Sequence, residues 1–181
     1  DSKGYEYKAK LTILKEAART LNYLTENNLL QYADLEKKVE DVHSSYDRTG
    51  KELKGVEARL REVQPLIKNI SNYQRLKPVY DAFQKAKDKP GFKAKHEAEL
   101  VIFEAARSTL LAMQDDEKLP SLKTLQAQQQ RLLDEQQRLY DERAKLKKEV
   151  KKIETIKSNV DTFLAPSADH DRDHLRSTQR E

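Results

Sequence analysis

A chain of 181 residues that is 36% apolar and 36% charged holds less core-forming material than an ordinary globular domain, which is about half apolar and about a quarter charged. Four glycines and five prolines are too few for the many tight turns of an all-β protein, and without cysteine there is no disulfide, thiolate metal site or cysteine nucleophile. The formal net charge of +4 is unevenly spread: residues 68–95 carry eight Lys/Arg against two Asp, residues 96–118 two basic against six acidic, and residues 141–157 seven basic against four acidic.

The opening DSKGYEYKAK lacks the apolar stretch of a secretion signal, and no run of about 18 apolar residues is present to span a membrane. A cytoplasmic location is the expectation. The absence of an initial Met points to a fragment or a processed product.

A first helix is expected from Tyr7 to about Glu26, with Leu11, Leu14, Ala18, Leu21 and Leu24 on its packing face. Asn27 and Asn28 end it, because Asn tolerates the left-handed conformation that closes a helix. Residues 1–31 thus form an N-terminal helix and linker. Asp34 is placed to cap a second helix.

From there apolar or heptad-tolerable residues recur at alternating steps of four and three: Leu35, Val39, Val42, Tyr46, Thr49, Leu53, Val56, Leu60, Val63, Ile67 and Ile70. A 3.5-residue period holds one narrow stripe against a partner along a whole helix, which is the signature of a coiled coil. Pro65 falls on an outward position and the stripe stays in phase across it, so one kinked helix over residues 32–72 is expected. The phase slips at Tyr73, Leu76, Tyr80 and Phe83. That slip predicts the end of the rod and the start of a helical tip over 73–120.

Within the tip, Asp88-Lys89-Pro90-Gly91 is the clearest turn of the chain. A helix from about Phe92 to Met113 follows, with Phe92, His96, Leu100, Phe103, Leu110 and Met113 on one side. Asp115–Pro120 is polar. Ser121 then caps the last helix, to about Leu164, whose stripe repeats every seven residues: Leu125, Leu132, Leu139, Leu146, Ile153 and Val160. The neighbouring seam positions are mixed: Leu122, Gln129, Gln136, Arg143, Val150, Lys157 and Leu164. Polar residues there lower stability but set register. Residues 165–181 lack apolar periodicity and are expected to be disordered.

Two long seams in one chain predict that they pair with each other. At about 1.5 Å per residue they run roughly 54 and 64 Å, and the intervening segment is long enough to reverse the chain. The fold class expected is all-α: a long antiparallel coiled-coil helical hairpin with a small helical tip and a short N-terminal helix. A monomeric hairpin is favoured over a homodimer, because the polar seam residues suit internal pairing.

Chemistry-bearing patterns are sparse. His43 and His96 are isolated, and His170 and His174 stand among aspartates in the polar tail, a solvated context rather than a metal site. Glu40-Asp41 and Asp115-Asp116 sit in surface-type surroundings. No catalytic residue, metal site or cofactor is expected. The sharpest candidate is Lys68–Lys95, where Lys68, Arg75, Lys77, Lys85, Lys87, Lys89, Lys93 and Lys95 interleave with Tyr73, Tyr80, Phe83 and Phe92. Lys and Arg neutralise phosphates, and aromatic rings stack on unpaired bases. The alternative is that the rings form the core of the tip and the lysines solvate it. The run Lys145, Lys147, Lys148, Lys151 and Lys152 is a weaker candidate, diluted by Glu149 and Glu154.

The stretches EAARTLNYLTENNLLQYADLEKKV, IKNISNYQRLKPVYDAFQKAK, FKAKHEAELVIFEAARSTL and LPSLKTLQ, with the closing KSNVDTFL, resemble the region after the nuclease domain of conjugative relaxases, the mobilisation proteins of integrative elements in low-GC Gram-positive bacteria. The resemblance covers residues 4–164 in order. The catalytic part of that family is a HUH-type endonuclease that nicks a transfer origin with a tyrosine, aided by a metal on clustered histidines. This chain has eight tyrosines but no His-x-His cluster and no strand pattern, so no catalytic residue carries over. What the resemblance implies is a non-catalytic accessory region, with transfer-origin DNA and other conjugation proteins as partners. A structural spacer or dimerisation module with no nucleic-acid role is the alternative.

Overall fold

The computed structural model of the chain describes residues 2–112 and 121–165. Four helices account for nearly all of them: α1 (Ser2–Glu26), α2 (Tyr32–Lys85), α3 (Lys89–Ala112) and α4 (Leu122–Leu164). Among the described residues there is no strand. The long helices α2 and α4 pack closely as an all-α hairpin. Met113, Asp115–Pro120, and the tail with His170 and His174 lie outside the described residues. The chain divides into two compact units, Asp1–Thr49 with Glu142–Glu181, and Gly50–Asp141.

In the first unit, α1 and the start of α2 pack on the end of α4. Its core is Leu29, Leu35, Val42, Ile153 and Ile156, with Tyr23, Leu24, Val39, Val150 and Val160 against it. Polar pairs across the seam run in opposite chain directions. Tyr32 meets Asp161, Lys38 meets Glu149, and Tyr46 meets Arg143, so the two helices are antiparallel here. α2 begins at Tyr32, with Gln31 accepting the N–H groups of Asp34 and Leu35. Asp34 is therefore not the cap. It sits in the first turn, where a carboxylate suits the positive end of the helix dipole.

The end of α1 is closed by a Schellman motif. Asn28 takes the left-handed φ of 55°. The Leu29 N–H donates to the Leu24 carbonyl at 2.7 Å, and the Asn28 N–H to that of Thr25 at 3.3 Å. Leu24 and Leu29 meet in the core below, the apolar contact that accompanies this motif.

The packing face of α1 differs from the expected one. Leu11, Leu14, Ala18 and Leu21 are exposed, and only Leu24 of that stripe joins the core. The face that turns inward carries the half-buried Ala17 and Tyr23 and the buried Thr20, about 140° around the helix from the leucine stripe. The physical reason is the partner. α4 offers Asn159 here, whose Nδ2 donates to Thr20 Oγ1 at 3.0 Å, and a hydroxyl satisfies that donor where a leucine would not.

In the second unit, the rest of α2 packs on α3 and the first half of α4. The core is Leu53, Val56, Leu60, Val63, Ile70, Leu110, Leu125, Leu132 and Leu139. Every α2 seam position from Leu35 to Ile70, over the two units, is buried or half-buried, and so is every α4 stripe position from Leu125 to Val160. Ser121 caps α4 as expected, its Oγ accepting the Thr124 N–H at 3.1 Å.

α2 does not end at residue 72. It continues unbroken through Pro65 and Pro78 to Lys85. Both prolines are exposed, so the hydrogen bond each removes opens onto water rather than the core. The slip in phase at Tyr73 marks a change of partner within one helix. Up to Ile70 the buried face meets the cluster that holds α4; from Tyr73 onward it turns to α3, where Phe103 stacks on Tyr73 at 5.1 Å and on Tyr80 at 4.4 Å.

Candidate nucleic-acid interface

The lysine-rich turn is built around Asp88. α2 closes with the Ala86 N–H on the Phe83 carbonyl. Asp88 then caps α3: its Oδ1 accepts the Gly91 N–H at 3.0 Å, and its carbonyl accepts the Phe92 N–H at 3.0 Å. Gly91 gives that cap room: a Cβ at this position would lie 2.2 Å from Asp88 Oδ2, so the capping carboxylate would have to shift. The cap occupies the only acid between Lys85 and Lys95. Lys85, Lys87, Lys89, Lys93 and Lys95 are all exposed, and none of them forms an ion pair among the described residues. Lys89 alone of these has an aromatic neighbour, its ammonium 5.9 Å from the centre of the Phe83 ring.

The other sequence candidates are placed apart from this cluster. Lys68 and Arg75 are exposed on one face of α2, seven residues apart, and Arg75 donates to Asn72 Oδ1 at 3.4 Å. Lys77 projects about 180° from Lys68 and pairs with Asp81 at 2.9 Å. The hydrogen bond that Lys77 donates to Asp81, and then the Asp81 charge, raise the Lys77 pKa. From Lys68 to Lys85 the helix rises about 26 Å, so these residues do not share one patch with the turn.

Tyr73 and Tyr80 are half-buried, and each stacks its ring on Phe103. They belong to a continuous aromatic stack in which Phe103 is buried, Phe83 and Phe92 stand 6.1 Å apart, and Phe92 stacks on His96 at 4.5 Å. Arg107 further engages Tyr80, donating to its hydroxyl at 3.3 Å. One side of each of these two tyrosine rings is therefore taken up by internal packing. The rings recur at helical spacing because they are the core of the α2–α3 hairpin.

The stack ends at a kink in α3. His96 leaves helical geometry, with φ −124° and ψ 22°, while its Nδ1 meets a Glu99 carboxylate oxygen. No group of three or more His, Asp or Glu able to hold a metal occurs among the described residues. None of the described helices is long and apolar enough to cross a membrane. No family model matches the chain, and no curated protein or solved structure does.

Proposed function

We propose that this chain is a non-catalytic helical accessory region of a conjugative relaxase, assisting DNA mobilisation by gripping the DNA backbone and docking other transfer proteins. The observation that carries this reading is the exposed turn Lys85–Lys95, whose five lysines flank in sequence an acid already committed to a helix cap. Within the second unit the stripes of α2 and α4 bury each other, and the lysines of this turn are left exposed to solvent. Ordered resemblance over residues 4–164 supplies the relaxase context. The grip would be electrostatic and indifferent to base sequence, since lysine ammonium groups read phosphate alone and the one ring beside them, Phe83 at Lys89, is part of the internal aromatic stack.

The test is a salt series of binding isotherms on a fluorescein-labelled DNA duplex of random sequence. Changing Lys85, Lys87, Lys89 and Lys93 together to Glu should abolish binding at moderate salt. Milder changes to Gln should flatten the salt dependence by about three to four units of slope. An isotherm that ignores all four Glu substitutions removes the DNA role and leaves the spacer reading standing.

A further inference from the structure

We propose a second phosphate-binding site, in the groove between α1 and α4 of the first unit. The groove encloses about 570 Å³, within the range of small-ligand sites. One wall is the α4 face with Lys148, Lys151 and Lys152, at positions that fall together on a helix surface. The other wall is α1, with Arg19, Asn22 and Tyr23. The Asn159–Thr20 hydrogen bond ties the walls together, and Thr20 is buried behind them.

Nearby acids do not quench the three lysines. Glu149 turns to Lys38 at 3.0 Å and Glu154 to His43 at 3.0 Å, both on α2. Glu16 is held by Arg19 at 2.8 Å. Glu26 also lines the groove and lowers its charge without reversing it. Among the described residues Lys148, Lys151 and Lys152 have no carboxylate partner. Lys152 is steadied instead by the Tyr23 ring, with its ammonium 4.8 Å from the ring centre. Burial raises the Tyr23 pKa, so the phenol stays neutral and adds no negative charge to the wall.

Three ammonium groups within little more than one helical turn, backed by amide and hydroxyl donors, suit a ligand carrying several phosphates. A groove of this volume admits a single sugar–phosphate strand or a free polyphosphate, not a whole duplex. This site does not rest on the Lys85–Lys95 turn, so either can fail without the other.

The experiment uses the full chain with two probes: a labelled single-stranded oligonucleotide, and pyrophosphate followed through the Asn22 and Asn159 side-chain amide resonances. The variant carries Lys148→Glu, Lys151→Glu and Lys152→Glu, all at exposed positions. A charge-matched control carries Lys51→Glu, Lys54→Glu and Lys123→Glu, also exposed. The groove variant is expected to lose at least about tenfold in oligonucleotide affinity and about two units of salt slope, while the control keeps most of both. Sensitivity of the oligonucleotide identifies a strand as the ligand. Sensitivity of pyrophosphate alone identifies a free phosphate compound. Equal losses in the two triples, or no loss in the groove triple with either probe, would overturn the site. The Lys85–Lys93 variant, measured alongside, reports on the turn separately.

Discussion

Arg143 of α4 reaches across the seam to Tyr46 of α2. Its guanidinium lies 3.9 Å from the centre of the Tyr46 ring, and its Nη1 donates to the Tyr46 carbonyl at 3.0 Å. A polar seam residue thus fixes register by two directional contacts to one partner. Lysine has no planar fork and cannot stack and donate in the same way. Arg143→Lys should cost about 1 kcal/mol in urea unfolding. A variant as stable as the parent would mean that the pairing carries no weight.

The seam and the outer stripe of α1 should respond in opposite ways to truncation. Leu139 and Ile153 are each 0% exposed, whereas Leu14 is 67% exposed. Leu139→Ala or Ile153→Ala should destabilise by about 2–5 kcal/mol, because each leaves a cavity in a filled core. Leu14→Ser should stay within about 0.5 kcal/mol. Thermal melts of the three variants decide it; a large loss at Leu14 would contradict the assignment of the α1 faces.

At Asn28 the backbone, not the side chain, is the determinant. Left-handed φ penalises a Cβ by about 1–2 kcal/mol, and Asn tolerates it best among residues other than Gly. Asn28→Ala should therefore destabilise by about 1 kcal/mol, while Asn28→Gly should be neutral or slightly stabilising. Equal stability of the two variants in denaturant would show that the turn is not held in this conformation.

Lys157, Tyr32 and Asp161 form a surface triad that predicts a flat pH response near neutrality. Lys157 donates to Asp161 at 2.8 Å and to the Tyr32 hydroxyl at 3.1 Å, and that hydroxyl donates to Asp161 at 2.7 Å. The bonds from Lys157 and then Tyr32 lower the Asp161 pKa below its ordinary 3.8, and the same pairing raises Lys157 above its ordinary 10.5. The Asp161 contribution is present in full above pH 3.8 and fades as pH falls through its lowered folded value. The Lys157 contribution is present below pH 10.5 and fades as pH rises through its raised value. Carbon-detected NMR titration should find Asp161 titrating below 3.8, and Tyr32→Phe should move it back toward that value. An ordinary Asp161 titration in the parent would show that the triad does not hold in solution.

The hairpin was legible because coiled-coil periodicity is written locally. Each of Leu35, Val42, Leu53, Leu60, Leu125, Leu139 and Ile153 stands at a step that only a supercoiled pair exploits, and each is buried. Two of the three expected caps were legible for the same reason: Asn28 and Ser121 act on backbone groups within a few residues of themselves, whereas Asp34 lies inside the first turn of α2 and does not cap it. The lysines of the candidate interface were legible as a run, and so were the rings beside them.

Which neighbour each face meets was not written locally. The stripe Leu11, Leu14, Leu21 looks like a core face, yet α1 packs through Thr20 because Asn159, 139 residues away, arrives there with a donor to satisfy. Phase loss at Tyr73 looks like a helix end, yet it records a switch to Phe103 within one unbroken helix. Arg19 and the α4 lysines share a groove that neither segment announces. Amphipathic period is a property of one helix and its own few turns. Partnership is decided by which distant surface fills the space and satisfies the polar atoms there, and that balance exists only once the chain has folded.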